Sequence, residues 1–425
     1  MPISVEGPSP HSFSLMSGRR PTIRARIGAL VLAAAVLAGC GRGGGAAGGQ
    51  ALARTGGSNR SAPAPSTTVG VDPAPEPSTP TTVLSTPEPT TTAPTPPTAP
   101  AAEPSSGRSG PGPGIGARGG PPPGPSRLGV TEVAGGLDTV WALAWDPEGR
   151  LWYTERGGRL TRLGEAPRTV AGVTESGEGG LMGLEIDGRG RIFVMYTSAV
   201  DNRIVRLEPD GSQTVLADGI TKASIHNGGR LRLGPAGTLY AATGDAGQPA
   251  LAPDPASRNG KVLRIDPDRG EPSVFSRGHR NIQGLCLAPG GPLMATEHGP
   301  DRGDEINVLS PGFDGGWPGT VGDGVRNYTP TIAPAGCAFY DSELIPEWRG
   351  SMLFVTLKGR DLRRLTFGSD GSVSGEEVLF DGEFGRLRDV AVGPDGAVYL
   401  TTSNRDGRGS PAAGDDRILR VAPAP

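Results

Sequence analysis

The 425-residue chain is short of the residues that usually carry metal, redox or nucleic-acid chemistry. It has three cysteines and four histidines. No Cys-x-x-Cys or Cys–His spacing links them, which removes zinc and iron–sulfur sites. Aromatic residues make up 5% and the formal net charge is −3, so no basic surface is on offer and no nucleic-acid partner is expected. Amphipathic helical periodicity is essentially missing. Long apolar runs are missing too: residues 27 to 38 form a stretch of about a dozen, too short to cross a bilayer as a helix.

Glycine and proline are what the chain has in plenty, at 70 and 44 residues. Arg19, Arg20, Arg24 and Arg26 precede the apolar run, which ends in Leu37-Ala38-Gly39-Cys40. Residues 1–40 therefore read as a secretory signal, with its start at Met1 or Met16. Leu-Ala-Gly-Cys resembles a bacterial lipobox. That implies lipidation of Cys40 and an exported protein anchored to the outer face of the bacterial cell membrane, touching it through the lipid only. Residues 41–127 are mostly Gly, Ala, Pro, Ser and Thr. They cannot bury enough surface to offset ordering entropy, and are expected to form a disordered linker with an extended Thr-Pro-rich middle.

Residues 128–425 are enough for one large folded domain. Six apolar strands, each followed by a Pro/Asp/Gly turn and a second strand, recur along it. The first strands read VWALAWDP from Val140, LMGLEIDG from Leu181, GGRLRLGP from Gly228, GLCLAPGG from Gly284, AGCAFYDS from Ala335 and LRDVAVGP from Leu387. Repeats of this kind predict an all-β fold, a six-bladed β-propeller. Successive strands of a blade alternate in direction, so loops entering first strands and loops leaving second strands share a face. Glu178, His226, Arg280, Asn281, Thr331, Arg386 and Arg388 lie at or just before first strands. Asp245, His298, Gly299, Pro300 and Lys358 follow second strands. All are predicted to meet at one mouth of the channel.

The chemistry of these residues is suggestive. His226 lies in Ile225-His226-Asn227-Gly228-Gly229-Arg230, where glycine permits close backbone approach. A histidine is the natural general base at neutral pH, and Asp245 is placed to hold its tautomer; the plain alternative is a turn histidine without a role. Arg280, Lys358, Arg386 and Arg388 would repel one another unless an anion sat among them, which implies a carboxylate- or phosphate-bearing ligand. Residues 297–305, EHGPDRGDE, offer backbone carbonyls beside carboxylates. Such hard oxygen donors suit Ca²⁺, although an acidic surface loop would read alike. Cys286 and Cys337 fall on neighbouring first strands, as a disulfide or as two buried thiols.

Taken together, TERGGRLTRL, GEGGLMGL, HNGGRLRLGPAGTLYAATGD, GHRNIQGL, EHGPDRGDEIN, GWP and PTIAP resemble the quinoprotein sugar dehydrogenases. That family comprises soluble glucose dehydrogenase and the aldose sugar dehydrogenases, which use pyrroloquinoline quinone (PQQ). The resemblance runs from about Val130 to Leu419. It implies a six-bladed propeller that oxidises aldose sugars at C1 to lactones, passing hydride to the quinone and electrons to an external acceptor. It also implies His226 as general base, Asp245 as its orienting carboxylate, and Arg280, Asn281, Thr331, Lys358, Arg386 and Arg388 as the PQQ site. The carbonyls of Gly299 and Pro300 would hold Ca²⁺. Glu178 stands where the soluble glucose enzyme has a glutamine near the substrate, and Ile225 stands where it has an aspartate. These departures and a shorter 318–330 segment imply a more open mouth and a broader aldose range. The competing reading is a non-catalytic tethered propeller that binds a glycan or protein partner. A secreted lactonase is a second rival, and it leaves the four cations unexplained.

Overall fold

The computed structural model describes residues 127–425 apart from residue 289. The signal, Cys40 and all but the last residue of the linker lie outside the described residues. Six sheets follow one another as six blades, antiparallel except where the short strand Phe313–Asp314 joins Pro272–Arg277 in parallel. Their innermost strands are Val140–Trp145, Leu181–Ile186, Leu231–Leu233, Ile282–Leu287, Pro334–Tyr340 and Leu387–Val392. These are the predicted first strands, except that the third keeps only three residues. Gly228 and Gly229, with φ of 66° and 113°, turn the chain where that strand was expected to begin. The only helical segments among the described residues are three short 3₁₀ turns.

The ring is closed by strand exchange. The last blade is ordered Leu128–Ala134, Ile418–Pro423, Val398–Thr402, Leu387–Val392, so the first described strand completes the blade made by the last three. Val130 pairs with Val421 across that seam. Asp416 bolts the same blade to the start of the first. Its buried carboxylate accepts hydrogen bonds from the amides of Thr139 at 2.9 Å, Asn404 at 2.6 Å and Arg405 at 3.3 Å, and from the Thr402 hydroxyl at 3.2 Å.

Between blades, apolar side chains of the inner strands interlock. Trp141, Leu181, Met182 and Leu231 share one cluster, and Ala335, Leu387 and Val390 another. A threonine on the second strand repeats as a polar clasp. Thr154 donates to the Met182 carbonyl at 2.7 Å, Thr296 to Ala335 at 2.5 Å, and Thr401 to Val140 at 3.2 Å, in each case on the next blade. Cys286 and Cys337 form a disulfide joining the inner strands of blades four and five.

Five of the six inner strands shift register near their first residues: between Val140 and Ala142, Leu181 and Leu184, Ile282 and Gly284, Pro334 and Cys337, Leu387 and Asp389. A bulge bends a strand and re-aims its side chains. All five lie at the same end, so that end of the channel is where side chains are redirected and the other end runs regular.

Replacing Asp416 with Ala should leave three buried donors and one partly buried donor without an acceptor at the ring seam. At about 1–3 kcal/mol for each unmet group, moderated by relaxation, the unfolding free energy should fall by about 3 kcal/mol or more. Denaturant titration of the variant beside the parent measures it.

Candidate functional site

The bulged ends and the loops facing them assemble one site. His226 sits in the left-handed region, φ 55°, uncommon for a residue with a side chain. Two neighbours hold it there. The Glu178 carboxylate accepts its backbone N–H at 2.9 Å, and its carbonyl accepts the Ala246 N–H at 3.0 Å. Gly244 permits the approach, since a Cβ at that position would collide with the His226 carbonyl. The result is an imidazole aimed at Asp245, with Nδ1 2.7 Å from Oδ1.

Asp245 is almost wholly buried, and every partner of its carboxylate other than His226 is a donor. Oδ1 also takes the Gly247 N–H at 2.8 Å, and Oδ2 takes the indole N–H of Trp317 at 2.9 Å. An ionised carboxylate cannot donate, so Nδ1 must carry the proton. Nε2 is left with its lone pair and no protein partner among the described residues.

A narrow polar pocket opens beside this group, among Glu178, Asn281, His298, Arg386, Arg388 and Asp406. Asn281 is fixed by accepting the Gly228 amide and the Gln283 side chain, both at 3.2 Å. His298 is sealed at Nε2, which finds no partner, although the residue as a whole is only partly buried. Burial, then the charges of Arg280 and Arg388, push its pKa down to about 3. A neutral imidazole with an unmet polar atom therefore faces the cations. Arg280 donates to the His298 carbonyl at 3.1 Å and lies over the Trp317 ring, 5.6 Å from its centroid.

The repulsion expected among the cations is relieved from within. A single oxygen of Asp406, Oδ2, accepts Arg386 Nε at 2.9 Å, Arg386 Nη2 at 2.8 Å and Arg388 Nη2 at 3.2 Å. Burial would raise the Asp406 carboxyl, but Arg388 and Arg386 outweigh it and hold it below the usual carboxylate range. Burial lowers Arg388 to about 10, which leaves it charged at neutral pH. Lys358 and Thr331 lie outside this cavity and bond to each other at 2.7 Å. His226, Asp245 and Arg280 are likewise not part of its wall; His226 borders it through Glu178.

The acidic loop is arranged otherwise than its composition suggests. Asp304 accepts the amides of Gly299 at 2.8 Å, Ile332 at 2.6 Å and Ala333 at 2.7 Å. Glu305 takes the Gly322 amide and the Asn307 side chain. Glu297 takes the Arg280 amide and His279 Nδ1. Burial pushes the carboxyls of Asp304 and Glu305 up against those hydrogen bonds. The carboxylates thus shape the turn, and among the described residues no group of three or more acidic, His or Cys side chains could hold a metal. The carbonyls of Gly299 and Pro300 accept no hydrogen bond among the described residues. A hard cation here would rest on those two oxygens together with oxygens of a bound ligand.

Asp406, Trp317 and Gln283 were not singled out by sequence, and His298 was placed at the mouth without a role. Trp317 had a signal, in the rare Gly-Trp-Pro turn; Asp406 lies in an ordinary-looking Asn-Arg-Asp-Gly loop with none.

A family model described as glucose/sorbosone dehydrogenase matches residues 137–419. The PQQ-bound structure of an aldose sugar dehydrogenase from Streptomyces coelicolor aligns at 36% identity with a TM-score of 0.62, covering 70% of this chain and 99% of that one. Aldose sugar dehydrogenase YliI of Escherichia coli is 29% identical over 365 residues, 70% of this chain and 94% of its own. Quinoprotein glucose dehydrogenase B of Acinetobacter calcoaceticus is 27% identical over 249 residues, 45% of this chain and 52% of its own.

Two outcomes follow from the geometry. Asp245→Asn offers an amide N–H in place of a pure acceptor, so the Nδ1–H tautomer of His226 should lose its hold and the Nε2–H form should grow, as read from imidazole ¹⁵N shifts. Asp406→Asn should cost about 3–5 kcal/mol at pH 7, because two buried guanidiniums lose their counter-ion. A carboxyl with a depressed folded pKa stabilises above its unfolded value, about 3.9, and stops doing so as pH falls through the folded value. The gap between variant and parent should therefore narrow progressively as pH falls below about 4, as measured by urea unfolding at pH 7 and at acid pH.

Proposed function

Because the chain belongs to the glucose/sorbosone dehydrogenase family, the family of PQQ-dependent sugar dehydrogenases, we propose that it oxidises aldose sugars at C1 to lactones. One observation carries this reading: an imidazole locked by Asp245 and Trp317, with a bare Nε2, stands beside a cation-lined cavity. His226 is assigned the proton of the anomeric hydroxyl. Asp245 stabilises the imidazolium that forms, and Trp317 keeps the carboxylate turned toward it. Glu178 is the sugar contact.

Arg280, Asn281, Thr331, Lys358, Arg386 and Arg388 are assigned to hold PQQ, whose carboxylates match the excess of cations. The carbonyls of Gly299 and Pro300 are assigned to Ca²⁺. When bound, PQQ supplies the acceptor for the hydride of C1, and the calcium ion a Lewis acid. The chain's own contribution is to orient both partners and to move the proton. Electrons leave to an external acceptor. On the Leu-Ala-Gly-Cys motif we place the protein at the outer face of the bacterial cell membrane, tethered through Cys40.

The test is dye-linked oxidation of a panel of aldoses, with and without added PQQ and Ca²⁺. Turnover should require both, and His226→Gln should lower kcat by about 10²–10⁴-fold, the usual contribution of a positioned base. Absence of turnover, together with no PQQ bound in an absorbance titration, would transfer the site to a non-catalytic tethered propeller.

A further inference from the structure

The loop between the last two long strands of blade six, residues 403–416, reaches away from its own blade. Its ends are fixed: Asn404 and Asp416 share the buried bonds of the ring seam, and Asp415 accepts the Asn404 amide group at 3.1 Å and the Ala412 N–H at 2.7 Å. Its tip extends over blade one, where the Asp406 carbonyl accepts Arg156 Nη1 at 3.3 Å. Farther along, Arg408 meets the loop entering blade two and forms an ion pair with Glu178 at 2.7 Å. Arg408, Glu178, Asp406 and Arg156 all face the site cavity.

The two attachments of this tip are unequal. The Asp406 carboxylate is buried on Arg386 and Arg388, with 3% of its side chain exposed. The Arg408–Glu178 pair is wet, with 59% and 28% of the two side chains exposed. Opening the first pair would leave buried charges uncompensated, whereas the second is screened by water and opens easily. Gly407, at φ 90° with nothing within 4 Å of a Cβ placed on it, separates the firm point from the weak one. The Arg408 N–H also donates to Asp406 Oδ1 at 2.9 Å, so the root of the tip is tied to the firm point and the part free to swing is the Arg408 side chain.

We propose that Arg408 is a specificity-determining residue, a bar across the sugar mouth that its ion pair with Glu178 holds closed against substrates longer than one ring. The inference rests on the assignment of this mouth to an aldose. Glu178 holds the His226 N–H with one oxygen and Arg408 with the other, so the bar crosses beside the proposed base. The reducing ring of any substrate goes under it. A second ring has to pass where the guanidinium lies, and the pair must open to admit it.

The experiment compares the parent protein with Arg408→Ala, loaded with PQQ and Ca²⁺, using glucose and maltotriose as probes. The ratio of kcat/KM for maltotriose to that for glucose should rise about two- to fivefold, the scale of an exposed pair removed. An unchanged ratio in an active enzyme overturns the proposal. Hydrogen exchange on the unloaded protein gives a readout independent of activity. Both Arg408→Ala and Glu178→Gln should speed exchange at residues 406–409 and leave the strands of blade six unchanged; equal exchange in parent and variants also overturns it. If the parent oxidises no aldose, the functional reading has failed instead, and the exchange experiment still decides whether the bar is closed.

Discussion

The site depends on the ring being closed. Six inner strands can bring their first residues to one mouth only if the circle is complete, and here it is completed by pairing Leu128–Ala134 with Ile418–Pro423. The bond from Asp416 to Thr139 spans 277 positions in sequence. Without that seam, blades one and six could part. Arg156 would then leave the loop that carries Asp406, and Glu178 would leave Arg408. Chain connectivity alone holds none of these pairs. They are held because a closed propeller has no free edge along which to open.

Closure also creates an electrostatic problem, since loops from several blades deliver positive charge to one narrow place. Asp406 answers it locally by taking two arginines on one oxygen. A second device lies deeper. Arg230 pairs with Asp389 across the channel at 2.9 Å and lies over the Trp141 ring, 4.5 Å from its centroid, while Arg388 lies 5.9 Å from the same centroid. One indole thus faces two guanidiniums, and its π cloud softens their approach. The cations are held by the protein before any ligand arrives, so an anionic ligand meets donors whose ordering cost has already been met by folding.

The blades were legible in the sequence because a strand–turn–strand unit repeated six times leaves a periodic trace. The common mouth was legible because strand direction alternates. Asp245 could be paired with His226 on that basis alone. The limits of legibility are physical as well. Thr331 and Lys358 were placed at the mouth, and they lie at its margin, bonded to each other, because loop length decides how far a residue reaches and strand order does not. Asp406 was invisible because its loop leaves one blade to serve others, a relation with no periodicity. The shortened third inner strand was hidden because its glycines read equally well as strand or as turn until the His226 backbone imposed the turn.

The acidic loop shows most clearly how composition and role can part. EHGPDRGDE offers a cluster of carboxylates, and composition alone would make them the metal ligands. Glu297, Asp304 and Glu305 instead accept amides or side-chain donors and are spent on the shape of the turn, while Asp301 is exposed and pairs with Arg302. An oxygen that holds two buried N–H groups could turn to a cation only by leaving those groups unmet, at about 1–3 kcal/mol each. The backbone carbonyls of Gly299 and Pro300 carry no such debt, since no donor is lost when they meet a cation. The carboxylates therefore act one step removed, fixing where two neutral oxygens point. A site built this way would bind a hard cation weakly on its own and firmly only with a ligand that brings negative oxygens. Two carbonyl dipoles do not balance a divalent charge, and a ligand gathered by the neighbouring cations can.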